Sequence, residues 1–170
     1  PVNLSTRGRV GAGDEVLIPG IVVAGEAART FLIRAVGPTL ALPGYDVAGA
    51  MTDPRLTLIS DTAGEVAFND DWGANPDVDA VRTAIAATGA FELPEGSKDA
   101  ALLATLAPGV YTARVDGVDA AAGVVLVEVY DTTSGGGGAL SNLSARAFVG
   151  AGGEVLIPGL VLRGSGARRM

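Results

Sequence analysis

The sequence contains no cysteine and no histidine. With neither thiol nor imidazole, the chain cannot build a disulfide, a Cys/His zinc site, or a nucleophile activated by histidine. Missing cysteine alone leaves the redox compartment open, since exported and internal proteins can both lack it. Lysine occurs once, at Lys98, and 12 Lys and Arg stand against 19 Asp and Glu for a net charge of −7. Such a chain offers no basic face to neutralise phosphates, so no nucleic-acid partner is expected. Long apolar runs are absent too. A membrane helix needs roughly 18 apolar residues. The longest run here, residues 123–130 (GVVLVEVY), has the length of one strand, so no transmembrane segment is expected.

What is present points to a folded, strand-rich chain. Hydrophobic residues make up 48% and charged residues 18% of the 170 positions, far from the composition of a disordered segment. The 25 glycines and 9 prolines supply the many tight turns that an all-β protein requires.

The strongest signal is a repeat. Residues 3–20 (NLSTRGRVGAGDEVLIPG) return as residues 142–159 (NLSARAFVGAGGEVLIPG), at a constant offset of 139. That period is too long for a solenoid, so one unit is a whole domain. The organisation expected is a β-sandwich unit over 1–133, a Gly-rich linker over 134–138, and a partial second unit over 139–170 carrying possible donor strands. Because the chain opens at Pro1, inside the repeat, a processed or excised piece is expected.

Along the chain, residues 3–40 read as a meander. Strands are expected at 3–10, at 15–24 with an interruption at Pro19-Gly20, and at 30–36. Proline removes a ladder donor, so Pro19 is expected at a bulge or an edge. Residues 55–59 alternate at period two and pair through a turn at 61–64 with a strand over 65–68. One short helix is expected near 76–88. Asn75 is its N-cap, Pro76 its first residue, Val78, Val81 and Ile85 its apolar face, and Gly89 its stop. Strands follow at 100–106 and at 110–115 beyond the Pro108-Gly109 turn, then a central strand at 124–130. The fold class is all-β: an antiparallel sandwich of jelly-roll or immunoglobulin-like type with one helix.

The set of motifs NLSxRxxVGxG, VLIxG, residues 32–38 (LIRAVGP), residues 68–72 (FNDDW) and the segment 106–130 resembles a repeat module of large, predicted secreted bacterial surface proteins. The last segment is also similar to bacterial pre-peptidase C-terminal domains, which are small β-sandwiches. The resemblance implies an extracellular or cell-surface appendage or spacer and carries no catalytic residue.

Asn69, Asp70 and Asp71, with Asp77 and Asp79 nearby, could offer oxygens to Ca²⁺, but their spacing does not match an EF-hand loop, and turn chemistry beside Trp72 with helix capping is the simpler account. The glycines at 11–13 and 150–152 lack the lysine of a phosphate loop and read as hairpin turns. Asp53, Asp61, Glu65, Glu92 and Glu95 show no spacing that would pair them for glycoside hydrolysis. No enzyme and no cofactor are expected. Arg34, inside an apolar strand, faces solvent or pairs with a carboxylate such as Glu15. Trp72, Tyr45, Tyr111 and Tyr130 are a sugar-stacking platform or, more simply, core and corner residues.

The duplicated opening gives the functional expectation. Two versions of one strand pair at opposite ends allow head-to-tail strand exchange between subunits, and a contact that does not close makes a filament. The expected partner is the chain itself, as a homopolymer of an extracellular fibre or surface array. Its interface residues would be Val16, Leu17, Ile18, Ile21, Val22, Leu143, Phe148, Val155, Leu156, Ile157, Leu160 and Val161. The alternatives are a monomeric spacer, with both copies in one pseudo-symmetric sandwich, and an adhesin module binding carbohydrate or Ca²⁺.

Overall fold

The computed structural model describes residues 3–133, 138–152 and 154–161. The expected linker, apart from Gly138, and the chain beyond Val161 lie outside those residues. Ten strands form two antiparallel five-stranded sheets packed face to face, an all-β sandwich with one helix. The strands are β1 (Asn3–Val10), β2 (Ile18–Gly25), β3 (Arg29–Val36), β4 (Pro54–Ser60), β5 (Gly64–Asn69), β6 (Ala100–Leu106), β7 (Gly109–Gly117), β8 (Gly123–Asp131), β9 (Gly138–Arg146) and β10 (Ile157–Val161). The first sheet runs β10-β1-β8-β3-β6 and the second β5-β4-β7-β2-β9. The helix, α1 (Val78–Thr88), lies between β5 and β6 in the chain.

Strand pattern explains which faces are wet. Along β4 burial alternates strictly, with Leu56 and Leu58 inward, as a strand with one solvated face requires. Along β3, by contrast, six successive residues from Phe31 to Val36 are buried. Phe31, Ile33 and Ala35 join the inter-sheet core with Ile21, Leu56, Val115 and Val127. Leu32 and Val36 face the other way, against Trp72, Val81, Ala84 and Ile85. The helix and its flanks therefore cover the outer face of the first sheet along β3, and β3 becomes buried on both sides.

Several expectations about local pairing are corrected. The opening is not a meander: β1 and β2 lie in different sheets, and β3 joins β1's sheet two places away, beside β8. The turn at 11–15 is a corner between sheets rather than a hairpin turn. The Gly11 N–H donates to the Glu15 carbonyl at 2.8 Å, and Leu17 then bridges to Val115 in the opposite sheet. The Pro108-Gly109 turn likewise carries the chain from β6 in one sheet to β7 in the other. A Gly-rich corner and a Gly-rich hairpin use the same residues, and only the partners of the flanking strands separate them. The second strand begins at Ile18 and runs through Pro19-Gly20 without a break. Pro19 sits where β2 is paired only with β9, and the bulge lies further on, between Val22 and Val23. The helix starts at Val78, capped by Asp77, whose carboxylate accepts from the Ala80 N–H at 3.0 Å. Asn75 instead braces the turn before it, donating to the carbonyls of Trp72 at 2.6 Å and Ala101 at 3.1 Å. Gly89, at φ 73°, ends the helix as the sequence suggested.

Candidate functional site

The duplicated segments meet each other. β1 pairs with β10 in the register Asn3↔Val161, Leu4↔Leu160, Ser5↔Gly159, Thr6↔Pro158 and Arg7↔Ile157. β2 pairs with β9 as Val22↔Asn142, Ile21↔Leu143, Gly20↔Ser144, Pro19↔Ala145 and Ile18↔Arg146. Shifting each residue by the 139-residue offset converts every pair of the β1–β10 ladder into a pair of the β2–β9 ladder, which continues past its bulge to Val23↔Leu140. The first strand of each copy thus lies on the second strand of the other, and a pseudo-two-fold relation exchanges the two sheets. This is reciprocal strand exchange within one chain.

The side chains repeat the relation. Ser144 Oγ would stand 2.6 Å from a Cβ on Gly20, and Ser5 Oγ 2.5 Å from one on Gly159. Each copy therefore needs glycine in its second strand because the other copy's serine occupies that space. The corners match as well. Gly150 N–H donates to the Glu154 carbonyl at 2.9 Å, as Gly11 does to Glu15, and Gly13 and Gly152 share φ 66°. Arg9 Nε reaches Glu154 Oε1 at 3.1 Å across the joint, in an exposed ion pair worth little on its own.

Burial breaks the symmetry. Val10, Val16 and Ile21 are 0%, 8% and 0% exposed, whereas their counterparts Val149, Val155 and Leu160 are 57%, 45% and 48% exposed. Leu17 is fully buried, and its counterpart Leu156 only partly so. Of the expected interface residues, Val16, Leu17 and Ile21 belong to the core, while Ile18, Val22, Leu143 and Leu156 are half-buried. Phe148, Val155, Ile157, Leu160 and Val161 are exposed. The first copy is covered on its far side by β8 along β1 and by β7 along β2. The second copy has no strand there among the described residues, so β9 and β10 are the open edges of their sheets. Between them lies an apolar cleft of about 680 Å³ bordered by Leu4, Leu143, Pro158 and Leu160.

The remaining candidates are distributed through the fold. Asn69 is buried and spent on bracing: its Oδ1 accepts from the Ala101 N–H at 2.9 Å and its Nδ2 donates to the Asp71 carbonyl at 2.8 Å. No group of three or more carboxylates gathers among the described residues. Asp53 pairs with Lys98 and Glu95 with Arg82, both at the surface, while Glu65 borders a shallow depression beside Arg55 and Phe68. Trp72 is 2% exposed, its indole N–H held by the Pro94 carbonyl at 3.0 Å and its face capped by the Arg82 guanidinium at 4.9 Å. Tyr45 packs on Phe91 at 5.0 Å, and Tyr111 lies on β7, donating to the Ala107 carbonyl at 3.0 Å. The four aromatics therefore make no common platform.

Arg34 does not pair with Glu15. It is fully buried beside its cross-strand partner Glu128, donating from Nε at 3.0 Å and again from NH2. NH1 donates to the Phe91 carbonyl at 2.6 Å, and the guanidinium lies 4.4 Å from the Phe91 ring centre. Tyr130 donates to the other oxygen of Glu128 at 2.7 Å; burial, and then the Glu128 charge, push the phenol well above its ordinary range. Asp99 is fully buried, receives the Gly37 and Thr39 N–H groups at 2.8 and 3.3 Å, and accepts from Thr39 and Ser97 hydroxyls. Sequence reasoning passed over Glu128 and Asp99. An acid at the centre of an otherwise apolar strand was the available sign for the first, as Arg34 was for its partner. Among the described residues, no helix is long and apolar enough to cross a membrane. Comparison with known proteins finds no matching family model, no matching curated protein and no matching solved structure.

Proposed function

We propose that the chain is a structural, non-catalytic module of an extracellular fibre or surface array, joined to its neighbours by the duplicated strand pair. The observation that supports this is the reciprocal register of the two copies. Every backbone bond that β9 and β10 make to β2 and β1 within one chain can be made, with identical partners, to β2 and β1 of the next chain. Such an exchange is head-to-tail and open-ended, so it propagates. Its competitor is the closed form, favoured by the high effective concentration of two segments on one chain. The extracellular setting rests on the resemblance of the motifs to secreted surface modules.

The test locks the closed form. Arg7 and Ile157 are direct cross-strand partners, at the Cα separation of antiparallel neighbours that a disulfide can span, and the chain has no other cysteine. Negative-stain microscopy and sedimentation of the unmodified chain should show filaments that lengthen with concentration. The oxidised Arg7→Cys/Ile157→Cys variant should stay as single particles until it is reduced. Filaments that persist with the lock closed would remove strand exchange as the joint. Single particles of the unmodified chain at every concentration would make the module a monomeric spacer.

A further inference from the structure

We infer that the open edges of β9 and β10 are the seat of a second sandwich core equivalent to β3–β8, docking a β8-like strand on β9 and a β7-like strand on β10. This deepens the joint reading and rests on it for the view that the duplicated strands connect modules. β1 lies between β8 and β10, and β2 between β7 and β9. Under the pseudo-two-fold relation, β9 and β10 already hold the equivalents of one neighbour each and, among the described residues, lack the equivalents of β8 and β7.

The side chains show what the missing neighbours would cover. Val149, Val155 and Leu160 are at least 45% exposed, while Val10, Val16 and Ile21 at the same repeat positions are at most 8% exposed under the first core. Closely similar local sequence has its environment supplied in the first copy and open in the second. An apolar cleft of about 680 Å³ runs along the same open side. Patches of this kind, on unpaired strand edges, are covered in use.

The occupant follows from the edges already filled. Among the described residues the β3–β8 core has its β7 and β8 edges filled by β2 and β1, so it is not the core that covers β9 and β10. The partner is therefore a core of this repeat type whose own opening pair is the one formed by β9 and β10. With it in place each five-stranded sheet gains three strands, and two modules share one continuous sandwich.

The experiment replaces residues 162–170 with a second copy of residues 23–133, so that the new segment follows Val161, the repeat equivalent of Val22. Amide exchange is then followed with and without the extension. The amides of β9 and β10 that point away from β2 and β1 should exchange as open edges in the original chain. In the extended chain they should slow by at least ~100-fold, as paired strands do. Leu160→Asp in the extended chain should abolish that gain while the protection of β3 and β8 persists. Unchanged exchange on β9 and β10 in the extended chain overturns the inference. So does protection of those edges in the original chain at high concentration, which would make a second copy the occupant. Single particles of the original chain together with protected edges in the extended one would sink the fibre reading and leave this inference standing. Filaments with unprotected edges would do the reverse.

Discussion

At the scale of single residues, the buried pair of Arg34 and Glu128 matters most. The pair is cross-strand, desolvated, and satisfied by Phe91 and Tyr130 as well as by itself. Removing one member strands a charge in the core, so Arg34→Leu or Glu128→Leu alone should cost about 3–5 kcal/mol in denaturant unfolding. The double replacement should recover much of that loss, because two well-packed apolar residues leave nothing unpaired; equal losses in single and double variants would refute the coupling. The same cluster sets an alkaline limit. The Tyr130 phenol is held above its ordinary range in the fold, chiefly by burial. Its contribution to stability is complete below the unfolded value of about 10 and is lost as pH rises beyond it. Tyr130→Phe should flatten the fall in stability above that pH. Thr6 adds a smaller case: its hydroxyl is the buried side-chain group without a partner among the described residues. Arg34 shows how far residue-level reading reaches. A charged residue in an apolar strand announces a buried partner, but Glu15 and Glu128 are equally acidic on paper. Only the antiparallel register of β3 on β8 chooses between them.

At the scale of elements, the strands themselves were legible and their neighbours were not. β1, β6 and the β4–β5 hairpin lie where alternation and turn residues place them, because those signals are local. The corners at 11–15 and 107–109 were not legible as corners, since a hairpin and an inter-sheet crossing are built from the same turn residues. The helix was misplaced at its start for a related reason: Asn75 and Asp77 are both good caps, and Asn75 is taken up by Ala101 on β6. The Gly–Ser pairs of the joint lay in the repeat itself, where both glycines were visible but not the serines opposite them. They give an element-level prediction. Gly159→Val places a branched side chain where Ser5 Oγ stands, and should release β10 while β3 and β8 stay protected, as amide exchange would report. Gly20→Val meets Ser144 in the same way but sits in an inner strand paired on both sides, so it should lower the stability of the whole sandwich. If both variants lost only their local strands, the difference between edge and interior argued here would be wrong.

At the scale of the whole molecule, the repeat was legible in the sequence, but its symmetry was out of reach. Sequence shows that two segments are alike, whereas a two-fold relation is a property of how they pair. That relation makes the joint self-complementary. β1 and β2 accept a copy of β2 and β1, and the first copy is itself such a copy, with Ser5 available to face Gly20 and Leu4 to face Ile21. A chain ending at Thr133 keeps the inter-sheet core and leaves the edges of β1 and β2 open. Two such chains can close on each other, β1 of each on β2 of the other, in an isologous contact that uses both edges and stops at two. Sedimentation of this shortened chain should therefore show a concentration-dependent dimer, with exchange-protected edges on β1 and β2 and no larger species. Gly20→Val should abolish the dimer, because in this assembly Ser5 of the partner takes the place of Ser144. A monomer with open edges would mean that the differences between the copies, Thr6 against Ala145 and Arg9 against Phe148 among them, have made the joint specific for unlike halves. Open-ended chains would mean that the two edges engage different partners, and the closed symmetry seen within one molecule would not extend to two.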